Sequence, residues 1–267
     1  MTKLILQKSL PNPPWLDPQR WRLPGVQPLP PQDWLIRDDV FDQQMAVRDE
    51  LISTRLKDVH ALRPEALPAA QECYDLVLEN LRGDPGYRFA GQDCLRPDGQ
   101  HVPLDRDQPL ITLGRLIQDD ICLMQPSADE HVLNGAILCF PAYWALNEKI
   151  GRPLGRIHTP VPEYDDNLRR RVQRLFDAIR PDQPLWRMNA NLHRSGDLFA
   201  PKRESDPESR VGLAEAAFVR SERQVLRKLP RTGATVFTIH TYMVRIADLD
   251  TKLRDTLWQL VPGSHCE

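Results

Sequence analysis

Proline placement constrains this chain more than any other feature of its sequence. Eight of the 25 prolines fall within residues 1–37, where each fixes φ and removes a backbone donor, so neither helix interior nor central strand is open to this stretch. Trp15, Trp21 and Trp34 lie in the same stretch and supply large rings that can anchor it. The expectation is an extended Pro/Trp-rich arm, residues 1–37, laid against one large domain, residues 38–267, since no Gly/Ser-rich or charge-block linker divides the remainder.

Beyond the arm the apolar periods alternate. From Asp39 a helical spacing carries Phe41, Met45, Ile52 and Leu56 on one face, with Asp38 or Asp39 as its cap. A second helix follows Pro64, with Leu67, Ala70, Cys73, Tyr74, Val77, Leu78 and Leu81 at steps of three and four, stopped by Gly83 and Pro85. Residues 84–106 read as turns and short hairpin strands, and Leu110 to Gln118 as a short helix. Strands are expected at Ile121–Gln125, Val132–Phe140, Leu185–Leu192 and Thr235–Val244, and helices at about Asp165–Ile179 and Ala216–Leu229. Strands and helices in separate blocks favour an α+β domain on an antiparallel sheet.

Several function classes fall away on composition. With 35 basic and 37 acidic residues mixed along the chain and a net charge of −2, the surface that phosphate backbones attract is missing, so nucleic acid is not an expected partner. The N-terminal apolar run is too short for a secretory segment, and no stretch approaches the ~18 apolar residues of a membrane span. A cytoplasmic protein without membrane contact is expected. Cys73, Cys94, Cys122, Cys139 and Cys266 contain no C-x-x-C pair and read as reduced thiols, so any electrons must come from another protein. Dinucleotide, P-loop, serine-hydrolase and zincin signatures are also missing.

Chemistry then centres on a few polar residues. His158 sits before Pro160 and Pro162, on backbone stiff enough to present an imidazole to a metal; a turn histidine with ordinary partners is the competing reading. In the expected helix Ala216–Leu229, Glu222 aligns with Phe218, Val225, Leu226 and Leu229, so it is either neutralised by Arg223 or another cation, or handles protons in a cavity. Arg187, Asn189 and Asn191 share one strand face, and His240, Tyr242 and Val244 share another. Each face borders solvent or a pocket. His101, His131, His193 and His265 read as surface residues, and His60 as a helix C-terminal cap.

Three ordered segments, NGAILCFPAYWALNEKIGRPLGRIHTPVP, WRMNANLHRSGDLF and VRSERQVLRKLPRTGATVFTIHTYM, resemble the haem-dependent oxidative N-demethylase family. The likeness covers roughly residues 120–250 and is carried by Trp144, Lys149-Ile150-Gly151, the run Ile157 to Pro162 and the E-R-Q-x-L-x-x-L-P pattern from Glu222. It implies a PAS-like antiparallel sheet holding haem b, with His158 as axial ligand and Tyr143, Trp144, Asn189 and His240 near the cofactor. Glu222 and Arg223 are then the implied catalytic pair, acting on dioxygen and a small secondary amine that loses a methyl group as formaldehyde. Electrons are implied to arrive from a separate NAD(P)H-dependent flavin or iron–sulfur reductase. Two departures stand out. Family members usually read R-x-N-W where this chain has Ala190, and F-x-I-R-T-Y where it has His240. A haem-binding sensor or structural subunit without turnover is the alternative that these departures leave open.

Overall fold

Strand pairing, more than helix packing, organises this chain. The computed structural model describes residues 4–21, 23–128, 130–157, 166–206 and 211–261. Its main sheet has seven strands in the order β1-β8-β9-β10-β6-β7-β2, and β3-β4-β5 form a small second sheet. The strands are β1 (Gln27–Pro28), β2 (His60–Leu62), β3 (Arg88–Ala90), β4 (Asp93–Leu95), β5 (His101–Pro103), β6 (Asp120–Pro126), β7 (His131–Ile137), β8 (Leu185–His193), β9 (Phe218–Lys228) and β10 (Thr235–Arg245). All neighbouring pairs are antiparallel, as expected for an α+β domain whose consecutive strands are joined by short turns.

Helices cover both faces. On one side α1 (Phe41–Thr54), α2 (Leu67–Arg82) and α3 (Pro109–Leu116) pack Met45, Cys73, Val77 and Leu113 against Ile121, Leu123, Ile137, Val225 and Val236. On the other, α4 (Leu146–Lys149), α5 (Leu154–Ile157) and α6 (Asp166–Ala178) bring Leu146, Leu154 and Phe176 onto Cys122, Met124, Leu226 and Ile239. Helices α1, α2, α3 and α6 meet the expected periods closely, whereas α4 and α5 were not expected. The α1 cap differs: Val40 occupies it, and Asp38 instead accepts the Val40 N–H at 3.1 Å while its other oxygen is drawn into the core. None of the described helices is long and apolar enough to cross a membrane.

The largest correction concerns residues 216–229. The expected helix is strand β9, paired with β10 over its whole length and with β8 from Phe218 to Leu226. Helix-forming Glu, Arg, Gln and Leu residues gave its sequence a helical look, yet a slot between two strands satisfies every backbone group of a third, and that outweighs a local preference of tenths of a kcal/mol per residue. His60 caps the short helix Leu56–Val59, as expected, its N–H donating to the Leu56 carbonyl, and it is also the first residue of β2, opposite Ile137.

The arm is built into the main core and into a further one beside it. Ile5, Leu29 and Trp34 join the main core, while Leu10 and Trp15 pack with Met188, Leu192, Tyr242, Leu257 and Leu260. Trp15 Nε1 donates to Thr256 Oγ1 at 2.9 Å, and β1 extends the sheet beyond β8. Prolines suit an edge strand because its outward N–H groups have no partner to lose.

Candidate functional site

Side chains alternate across a strand, so the change from helix to strand redistributes the candidate residues. Glu222 lies opposite Asn189 on β8 and Thr241 on β10. It therefore shares a face with Leu226, Ile239 and Phe237, the face covered by α4, α5 and α6, where Trp144 and Ile157 also pack. Arg223 and His240, opposite one another in the ladder, turn to the other face. Neighbours in sequence thus serve different sides of the sheet.

Glu222 is nearly buried, with 8% of its surface exposed, and its carboxylate is held by three donors. Asn189 Nδ2 and Gln224 Nε2 both donate to Oε2 at 3.0 Å, and Arg220 Nε stands 3.3 Å from Oε1. Asn189 also accepts the Glu222 backbone N–H at 3.0 Å. The neutralising cation is thus Arg220, two residues earlier on the same face, and not Arg223. A helical reading hides this partner; a strand period finds it at once. Burying such a carboxylate is tolerable because charge and hydrogen bonds are both supplied.

Arg220 also locks the segment above the site. Its guanidinium donates to the carbonyls of Leu198 (3.0 Å) and Phe140. Fully buried Asp120 holds the same segment from beneath, accepting the Cys139 and Phe140 N–H groups at 2.7 and 2.8 Å and pairing with Arg48 at 2.6 Å. Three residues on, Tyr143 has φ +59°, a left-handed conformation that costs an aromatic residue about 1–3 kcal/mol. It is held there by its N–H on the Ala200 carbonyl (3.0 Å) and by stacking on His193, with ring centroids 4.6 Å apart and planes 10° from parallel. His193, expected at the surface, is buried; burial first and the Arg220 charge second hold its pKa down at about 3, so the ring is neutral. His131 is buried too, against Phe176, whereas His101 is exposed as expected.

His158, Thr159 and the two prolines that follow lie outside the described residues, as do His265 and Cys266. Buried Lys149 donates to the Ile157 carbonyl at 3.0 Å and to Glu204 at 2.6 Å, and Arg156 grips the same carboxylate at 3.0 and 2.7 Å. Hydrogen bonds from Arg156, then Lys149, draw Glu204 down to about 2.

The two residues on the opposite face do other work here. Arg223 donates to the carbonyls of Trp34 (2.8 Å) and Asp33, fastening the arm to β9. His240 is fully buried with Nε2 3.1 Å from Asp38 and Nδ1 3.4 Å from Asp119. A ring with carboxylates at both nitrogens has none to offer an iron. Tyr143, Trp144, Asn189 and Glu222 are brought to one side of the sheet with the elements flanking His158; Arg223 and His240 are not.

Comparison with protein families matches residues 25–262 to the haem-dependent oxidative N-demethylase, alpha subunit-like family. The match takes in the end of the arm and all of the described body, so the chain belongs to that family.

Proposed function

We propose that this chain is the haem-carrying subunit of an oxidative N-demethylase that acts on a small secondary amine, with His158 as the axial ligand of haem b. One observation carries the reading. Asn189 and Glu222 share their sheet face with Trp144 and with α5 and α6, the helices on either side of residue 158. The same face offers what a flat apolar ring bearing carboxylates requires. Trp144, Ile157, Leu226 and Phe237 form an apolar wall, beside it runs a strip of Arg187, Asn189, Glu222 and Gln224, and the Arg187 Nε is a buried donor without an acceptor among the described residues. The open antiparallel sheet under helices is compatible with the PAS-like architecture that the sequence resemblance implies.

When bound, haem with dioxygen and external electrons would supply the oxidising power to remove an N-methyl group as formaldehyde. The chain's residues would bind and orient the amine. Glu222 would pair with the ammonium, since a carboxylate held by Asn189 and Gln224 at Oε2 keeps Oε1, with its longer contact to Arg220, for an incoming N–H. The same oxygen would take the proton as the amine is readied for reaction. Tyr143 and Trp144 would exclude water, and Arg223 and His240 would serve at second hand by fixing β9, β10 and the arm. Electrons would come from a separate NAD(P)H-dependent flavin or iron–sulfur subunit, in keeping with an alpha-subunit-like chain, and the setting would be the cytoplasm.

Reconstitution with haem tests this directly. The wild type should develop a Soret band that His158→Ala loses or shifts, and should release formaldehyde from dimethylamine when given a reductant and air. Glu222→Gln should keep the spectrum and lose about 10²–10⁴ in formaldehyde release, the usual contribution of a proton-handling group. Unchanged haem ligation in His158→Ala would remove the ligand assignment; a Soret band without any formaldehyde would favour a haem-binding sensor.

A further inference from the structure

Among the described residues, charges along the strip of the β8–β9 face do not balance. Glu222 is already matched by Arg220 and by two amide donors. Arg187, on the same face and opposite Gln224, donates to Gln224 Oε1 at 3.0 Å, while its Nε is buried and finds no acceptor among the described residues. Burial pulls this guanidinium below its usual range, and the charge of Glu222 offsets that only in part. Among the described residues two guanidiniums thus face one carboxylate on this stretch, and the second has most of its planar fork uncommitted there. Such a fork is shaped for two parallel hydrogen bonds to a carboxylate.

We infer that Arg187 forms a carboxylate-binding subsite at one end of the strip, separate from the cation-binding end at Glu222. The inference rests on the haem reading above. Gln224 joins the two ends, since its carbonyl oxygen accepts from Arg187 and its amide nitrogen donates to Glu222. A cationic amine is repelled from the Arg187 end and drawn to Glu222; a carboxylate is sorted the opposite way. Two ligands bring a carboxylate to such a place: the cofactor, through its propionates, and an N-methyl amino acid, whose ammonium and carboxylate would span both ends.

The test uses the full chain as wild type, Arg187→Gln and Arg187→Lys. Haem and haem dimethyl ester are titrated in while the Soret band is followed, and the loaded protein is then titrated with N-methylglycine and with dimethylamine. If the cofactor supplies the carboxylate, the wild type binds haem about tenfold more tightly than the diester and Arg187→Gln binds both alike. If the substrate supplies it, the diester binds as well as haem, but N-methylglycine shifts the wild-type spectrum at about tenfold lower concentration than that of Arg187→Gln, with dimethylamine equal in both. Should Arg187→Gln fail to fold, Arg187→Lys decides, since it keeps the charge and loses the fork. Preferences unchanged from wild type in the variants overturn the subsite and leave haem binding standing. A wild type with no Soret band for either porphyrin overturns both readings.

Discussion

A single buried imidazole sets a pH limit on this molecule. Burial alone would lower the His240 pKa, but hydrogen bonds to Asp119 and Asp38 and the charges behind them carry it up to about 9. Burial would likewise raise Asp38, but the hydrogen bond and charge of His240 take it down to about 2. Because the histidine pKa is raised on folding, its contribution is complete below the unfolded value near 6.5 and is lost as pH rises through about 9. The shift corresponds to roughly 3 kcal/mol. Its neighbour does not share that window: burial pushes the Tyr242 hydroxyl up out of it. Thermal melts should therefore show wild type losing stability between pH 6.5 and 9, and His240→Arg, with a permanent cation, losing much less there. Equal losses in both would show that the cage is not the source. The aspartate runs the other way, its contribution present above pH 3.8 and lost as pH falls toward about 2.

Elements meet here at backbone distance, and one glycine shows how closely. A Cβ built on Gly114 in α3 would lie 2.5 Å from Ile137 Cγ1 in β7 and 3.0 Å from Ile52 Cδ1 in α1. Helix and sheet touch through a missing side chain. Gly114→Ala should lower unfolding free energy by about 1–3 kcal/mol through overpacking, despite alanine's better helix propensity. An unchanged midpoint for the variant in a denaturant melt would contradict the packing account. At this scale α1, α2, α3, β6, β7, β8 and β10 were legible in the sequence, the helices because each turns one apolar stripe to the core and β6, β7 and β10 because they read as apolar runs typical of strands. Strand β9 was not, since it is lined on both faces with residues such as Arg220, Glu222 and Arg223 that are equally at home in a helix.

The whole molecule depends on its first residues. Trp34 is fully buried, lies beneath Arg227 with 4.5 Å from guanidinium to ring centroid, and gives its carbonyl to Arg223. Trp15 and Leu10 close the second core, Gln7 bonds to Asp38 and to the backbone of β10, and β1 covers the edge of β8. Deleting residues 1–37 removes apolar cover from two cores and leaves Arg223 without its arm partners. Each large buried side chain contributes about 1.5–3 kcal/mol, against a total stability of about 5–15 kcal/mol. The truncated chain should lose near-UV dichroism and bind a hydrophobic dye such as ANS; native-like spectra would mean the body folds unaided.

By itself the sequence determined that the rest of the chain beyond the arm is α+β, that no span of it suits a membrane helix, and that its motifs resemble the family to which it belongs. Those properties follow from local backbone restriction, composition and short-range order, which act wherever the chain lies. The arm, expected to be extended, instead carries short helical turns at Pro14–Leu16, Pro18–Trp21 and Pro31–Asp33. Which residues meet was decided by the tertiary structure. Arg220 and not Arg223 neutralises Glu222, His193 is sealed under Tyr143, and His240 sits between two aspartates distant in sequence. Each of these depends on strand register, and register is set by the non-local pairing and burial of a whole sheet, which no local window of residues contains.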